Sequence, residues 1–332
     1  MLFMATNRRI RNGVYGDEER PNFRFEYQYH HKDDPVGSDG FERIGKRGFE
    51  VALLREMHRL RDEERVNTPK VGVYLHGFNN NYQASIDEIF DLEKSLTPVI
   101  GYSPIIVGFS WPSSGKVKNY LSDREEVRDS VGAFTRFLKD INDFLVINER
   151  DCFATTYCIA HSMGNYLLRK GMEYLSDYLG TPKGRKMFDE TVMMAPDLAS
   201  SDIEANGKGR YIARFSRRVH VYYSKYDRAL RASSVKRFGG NRLGRHGANN
   251  YQNIPSNLVL IDARKYANSD SIKEKELIDR TGEEVSVHSS HRYHPDILSD
   301  AVKVLSSIDR DLIPKRERVD PENGLRNHYI LT

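Results

Sequence analysis

"CIAHSMGNYLLRKG", residues 158–171, carries an apolar, β-prone run straight into an amphipathic helical pattern, with a serine at the junction. The run 153–160, "FATTYCIA", reads as a buried strand, and Tyr166, Leu167 and Met172 fall on one face of the helix that follows. Ser162 stands between them, with Ala160 two residues before it and Gly164 two residues after. Small residues flank a serine in this way where a strand turns sharply into a helix, the G-x-S-x-G nucleophile elbow, and alanine is the smallest substitute for the first glycine. Such a turn exposes the hydroxyl and aims the free N–H groups of the helix at the group it would attack. A serine before a helix also serves as a plain N-cap. The surrounding sequence decides between the two.

That context is a series of short apolar runs: 71–78, 104–111, 153–160, 190–196, 218–224 and 257–263. Near-continuous hydrophobicity over such lengths marks central parallel strands. Helical patterns lie between several of them, clearest in Val127, Val131, Phe134, Phe137, Leu138, Ile141, Phe144 and Leu145. Alternating strands and helices predict an α/β fold with a mostly parallel central sheet and helices on both faces. The polar first fifty residues offer two edge strands, at "LFMAT" and "FRFEYQYH". The division expected is an N-terminal extension packed on the core over 1–65, the main domain over 66–310 and a C-terminal tail over 311–332.

Composition narrows the classes. The 332 residues suffice for a sizeable core. With 51 Lys+Arg against 47 Asp+Glu, a net charge of +4 is too mild to imply nucleic acid by itself. No run is long enough to span a membrane. The N-terminal "MLFMATNRRIRNG" has its charges after a very short apolar stretch, the reverse of a signal peptide. Cys152 and Cys158, on one strand, would lie about 20 Å apart, beyond disulfide reach. A reducing cytoplasm is the expected compartment.

A serine at an elbow needs oxyanion donors, a base and an acid. "YLHGFNNNY" (74–82) ends a strand in His-Gly before a helical pattern, where the N–H of Phe78, with Asn79 next, would be one donor and that of Met163 the other. Asp227 follows the strand 218–224 at its carboxyl end, where sites of open α/β sheets lie, and Asp197 after the preceding strand competes with it. "VSVHSSHRYHPDILSD" then supplies His288, His291 and His294. Ser, Asp, His is the chain order this chemistry takes on such a sheet.

Together, "FMATNR", "YLHGFNNNY", "GFSWPSSG", "YLSDR", "IAHSMGN", "MAPDL", "YYSKYDRAL", "GGNRLGRHG" and "HRYHPDILSD" resemble the bacterial alpha/beta-hydrolase family of unknown function, marked by HGFN, SWPS and HSMGN. The resemblance runs from residue 3 to about 304. It implies an alpha/beta-hydrolase fold and a serine hydrolase, esterase- or lipase-like, acting on a small-molecule ester or lipid-like substrate without metal or organic cofactor. Among the histidines it favours His291, whose Tyr293 two positions on matches a His-x-Tyr pattern. His288 is the alternative, because the polar stretch 264–290 lengthens the loop before the motif. His294 precedes Pro295 and is expected in a solvated, cap-like place at the helix entrance.

Other readings of the same residues are weaker. "GFSWPSSGK" has six residues between Gly108 and Gly115 instead of four, and Val117 where a phosphate loop needs Ser or Thr. Ser110 in the same stretch is followed by Pro112 where an elbow needs glycine, and Trp111 is read as pocket wall or core. Zinc on His288, His291, His294 and Asp296 lacks a further ligand set. The segment 228–261 holds Arg228, Arg231, Lys236, Arg237, Arg242 and Arg245 without an acidic residue, and is expected as a solvated loop beside the acid. The rival from another class is a hydrolase-fold module without catalysis that binds a partner or nucleic acid through that loop.

Overall fold

The structure, a computed structural model, describes residues 2–31, 40–114, 119–148, 155–180, 185–236, 240–279, 281–319 and 327–332. Cys152, Lys118, Arg237 and the Gly115–Val117 end of the phosphate-loop lookalike lie outside them. The chain divides into two compact units, Met1–Cys158 and Ile159–Thr332.

In the first unit the strands are β1 (Leu2–Thr6), β2 (Arg8–Arg11), β3 (Val14–Glu19), β4 (Glu26–His30), β5 (Phe41–Ile44), β6 (Lys70–Leu75) and β7 (Ile105–Ser110). Five of them are ordered β6-β7-β1-β4-β5. The pairs β6–β7 and β7–β1 are parallel, while β1–β4 and β4–β5 are antiparallel. "LFMAT" is therefore an interior strand, paired on both sides, and not the edge expected from its polar surroundings. Its four consecutive apolar residues, Leu2 to Ala5, are all buried, as a strand covered on both faces requires. β4 is likewise flanked on both sides.

The predicted helix spans Tyr120–Ile147 and buries all eight apolar residues that predicted it. Another helix, Tyr82–Ile100, starts where the Asn81 side chain accepts the Ala84 N–H at 2.9 Å and stops at Gly101, whose φ of 90° is left-handed. It packs on β7, and the helix Lys46–Asp62 packs on β4.

β8 (Thr155–His161) crosses the division of the chain. The second unit carries β9 (Phe188–Met194), β10 (Ser216–Tyr223), β11 (Leu258–Asp262), β12 (Arg316–Arg318) and β13 (His328–Leu331), ordered β9-β10-β11-β13-β12. All pairs are parallel except β12–β13. Residues expected as a tail thus supply β13, with Tyr329 and Leu331 buried. Three apolar positions within "HYIL" are too few for a strand signal by themselves.

At one point in the first unit, close packing leaves no room for a side chain. A Cβ on Gly72 in β6 would stand 2.2 Å from the ring of Tyr157. Gly72→Ala is expected to destabilise the protein by about 1–3 kcal/mol in urea denaturation, the usual cost of overpacking. Adding Tyr157→Leu should recover part of that loss, whereas strictly additive losses would show that the two sites do not touch.

Candidate active site

The elbow is formed at the end of β8. Ser162 has a φ of 51°, a left-handed backbone that a residue with a Cβ seldom adopts, and the helix Gly164–Leu179 begins two residues later. Local hydrogen bonds hold the strained turn. The Ser162 N–H donates to the Met194 carbonyl at 3.0 Å, and the Ser162 carbonyl accepts the N–H of Asp197 at 3.1 Å. Beneath the turn, the buried Asn165 side chain donates to the carbonyls of Ala160 at 2.9 Å and Ser162 at 3.2 Å. This amide accounts for the Asn of HSMGN. Met163, the other residue of the turn, is fully buried at the head of the helix.

Asp227 follows β10 and is 0% exposed. Its Oδ1 accepts the Leu230 N–H at 2.9 Å, so it caps the helix Arg228–Lys236, and its Oδ2 accepts from His288 Nδ1 at 2.6 Å. His288, and not His291, is therefore the histidine on the acid. The His288 side chain is 16% exposed, whereas His291 is 0% exposed within the 290–292 turn. The loop places the later histidine inward, a matter of chain path that the His-x-Tyr spacing does not encode.

The two partners shift each other in opposite directions. Burial pushes the Asp227 carboxyl up, but the His288 charge and hydrogen bond outweigh it and leave the carboxyl below its ordinary value. Burial pulls the His288 imidazole down, and the Asp227 charge and hydrogen bond raise it above the ordinary 6.5. Because Nδ1 faces a carboxylate it carries the proton, leaving Nε2 as the basic nitrogen of the neutral ring. His291, without that partner, is pulled down to about 4 by burial.

The remaining candidates are held elsewhere. Asp197 accepts the Ser233 hydroxyl at 2.7 Å and lies 3.6 Å from Arg242, so its carboxylate anchors the segment behind Asp227. His294 caps the helix Pro295–Leu305 by accepting the Asp296 N–H, as its position before Pro295 implies, yet it is buried and not solvated. Its Nε2 meets Ser271 Oγ at 2.9 Å. Among the described residues no group of three His, Cys, Asp or Glu is arranged to hold a metal ion.

These features meet on an established frame. The model of the family described as "Alpha/beta hydrolase of unknown function (DUF900)" matches residues 55–282. The chain belongs to this alpha/beta-hydrolase family. The match includes Ser162 and Asp227 and ends before His288. An uncharacterized protein of Nostoc sp. (strain PCC 7120) is 31% identical over 181 residues, 46% of this chain and 44% of that protein. The chain thus matches less than half the length of that relative. Among solved structures, Aspergillus fumigatus lipase B is 11% identical with a TM-score of 0.41, covering 73% of this chain and 53% of that one. Carboxyl esterase 2 of Tuber melanosporum is 13% identical with a TM-score of 0.34, covering 74% and 84%. Among the described residues no helix is long and apolar enough to cross a membrane.

Polar residues of the sequence motifs in the first unit fix loops. Arg8 is fully buried and donates to the Asn80 carbonyl at 2.7 Å, Ser110 Oγ at 2.9 Å and the Ser113 carbonyl at 3.2 Å. Ser113 Oγ in turn accepts the Asn80 N–H at 3.2 Å and donates to Asp123 at 2.5 Å. TNR, HGFNN, SWPS and LSDR are tied into one polar network, and their common polarity next to apolar runs is the sequence signal for it. Trp111 is core: its ring stacks on His76 at 4.9 Å, and its backbone N–H donates to His76 Nε2 at 3.2 Å. His76 Nδ1 therefore carries the proton and donates to the Gly77 carbonyl at 2.9 Å. Burial and the Arg8 charge pull this ring down to about 4, so it is neutral.

The basic segment is not simply solvated. Arg228 and Arg231 are exposed, but Arg242 is buried beside Asp197 and Arg245 donates to the Asp227 carbonyl at 2.7 Å. Gly244 lets this segment close on the site: a Cβ there would lie 2.4 Å from the Ala195 carbonyl carbon.

In a histidine NMR titration, His288 should titrate above 6.5 in the wild type and below it in Asp227→Asn. Without the carboxylate, burial, the largest influence, acts with the Arg292 charge to lower it, against the weaker raising pull of Asp197. An unchanged value would mean that the pair is not formed in solution.

Proposed function

We propose that this protein is a serine hydrolase that cleaves carboxylic esters through Ser162, His288 and Asp227. The observation that carries the reading is the Asp227–His288 hydrogen bond of 2.6 Å, its carboxylate buried, in the same unit as a serine held at a left-handed elbow. His288 takes the place that the sequence pattern assigned to His291.

The geometry of each residue supports a definite role. His288 Nε2 takes the proton as Ser162 Oγ bonds to the ester carbonyl carbon, and Asp227 stabilises the imidazolium and keeps the proton of Nδ1 in place. The oxyanion is held by the N–H of Met163 at the helix head; Phe78, the other donor expected from the sequence, belongs to the first unit. Collapse of the intermediate breaks the ester C–O bond, and His288 gives its proton to the leaving alcohol. Water, deprotonated by the same nitrogen, then clears the acyl-enzyme. The expected substrate is a small ester or lipid-like molecule, with the cytoplasm as the expected setting.

With short-chain p-nitrophenyl esters, Ser162→Ala and His288→Ala should each lose turnover by orders of magnitude while remaining folded. His291→Ala should keep the pH–rate profile even if the buried cavity lowers stability. Asp227→Asn should be far more damaging than Asp197→Asn. Equal turnover by wild type and Ser162→Ala would end the proposal, and loss of the neutral-pH titration in His291→Ala alone would return the base to that residue.

The pH profile follows from the sign of the shift. The base works when neutral, so kcat/KM should rise with pH through an apparent pKa above 6.5 and then level off. A limb below 6.5 would contradict the pairing with Asp227.

A further inference from the structure

We propose that His161, the residue before the nucleophile, is a positioning residue that fixes the backbone of the base. This rests on the Ser162–His288–Asp227 reading. His161 ends β8, is 3% exposed, and its Nε2 lies 3.1 Å from the carbonyl oxygen of His288. A carbonyl only accepts, so Nε2 carries the proton and donates it. The two imidazole rings are also in contact, with centroids 4.9 Å apart at 47°.

The consequence is geometric. The loop before the helix Pro295–Leu305 makes bonds within itself: Ser289 and Ser290 N–H to the Ser286 carbonyl, and Ser290 Oγ to the Val287 carbonyl. Such bonds shape the loop without tying it to the strand that bears the serine. His161 supplies that tie. His288 is then held at two points, its Nδ1 on Asp227 and its carbonyl on His161, and a ring held at Nδ1 with a fixed backbone leaves Nε2 one direction to face. Two bonds thereby set the base relative to a nucleophile that is the next residue after His161 itself.

His161 also suits this place electrically. Burial, with the Arg292 and His288 charges, holds its imidazole well below the ordinary value, so it is a neutral donor beside a base that becomes charged during turnover. Its Nδ1 is buried with no hydrogen-bond partner among the described residues. The charged groups that act on it most strongly, Arg292, His288 and His291, all disfavour a charged ring. A neutral ring in contact with His288 adds no positive charge to oppose proton uptake there. Satisfying one ring nitrogen while leaving the other unpaired is costly in a core. The cost is consistent with a residue kept for where its N–H points.

Two variants separate reach from folding. Gln at 161 carries an amide N–H near the position of Nε2, whereas Asn carries it too short to reach the His288 carbonyl. Turnover per active site is measured after titration with a fluorophosphonate, so that unfolded protein does not count. His161→Asn should lower kcat by about 10²-fold with KM little changed, the scale of a misplacement near 1 Å. It should also bring the apparent pKa of the rising limb down toward 6.5, as the loosened His288–Asp227 bond holds the proton less firmly. His161→Gln should restore most of both. If the Asn and Gln variants share the wild-type kcat per active site and the same limb, His161 has only a structural role and the proposal is wrong. Failure of the underlying reading looks different: the wild type itself would not be labelled, or Ser162→Ala would turn over as fast as the wild type.

Discussion

A carboxylate with no exposure to water keeps its charge only when something nearby repays the lost hydration. Asp227 is in that position, and the repayment is the proton on His288 Nδ1 at 2.6 Å together with the Leu230 N–H. Much of the second unit is arranged around this pair. β10 delivers Asp227 at its carboxyl end, Arg245 grips the Asp227 carbonyl, and Asp197 with Ser233 and Arg242 anchors the segment behind it. His161 reaches the His288 backbone from the end of β8. Removing the carboxylate would leave a buried imidazole that no longer has reason to stay protonated at Nδ1.

The elbow is the second constraint. A left-handed serine stores strain, and the bonds that retain it come from β9 and from the helix it starts. Asn165 does this with one side chain, which explains why a polar residue lies at the apolar strand–helix junction. The HG loop of the first unit follows the same economy: His76 is locked by Trp111 into the tautomer that holds the Gly77 carbonyl, and Arg8 holds the Asn80 carbonyl. In both places buried polar side chains do the work of defining backbone direction, with every donor given a definite acceptor.

Much of the α/β order was legible because its carriers are local. Continuous apolar runs such as 105–110 and 190–194 announce strands covered on both faces, and the spacing from Val127 to Leu145 announces a helix. Ser162 and Asp227 could be nominated from the sequence because each stands close behind such a run. What was not legible depends on the path of the chain. LFMAT reads as an edge by its neighbours, yet it is interior because β4 and β7 come from elsewhere to flank it. Three histidines at spacing three look equivalent. A short turn at 290–292 sends His291 inward and leaves His288 facing Asp227, and nothing in their immediate sequence records that. Arg242 and Arg245 read as solvated charges because their partners, Asp197 and the Asp227 carbonyl, are distant in sequence or belong to the backbone.

The central claim is that Ser162 is an activated nucleophile. It is tested most directly by treating the purified wild-type protein with a fluorophosphonate and mapping the modified peptide by mass spectrometry. One phosphonyl group per chain, carried by Ser162 and abolished by His288→Ala, is the predicted result. Ester hydrolysis by a protein that takes up no label, or takes it up at another serine, would contradict the account.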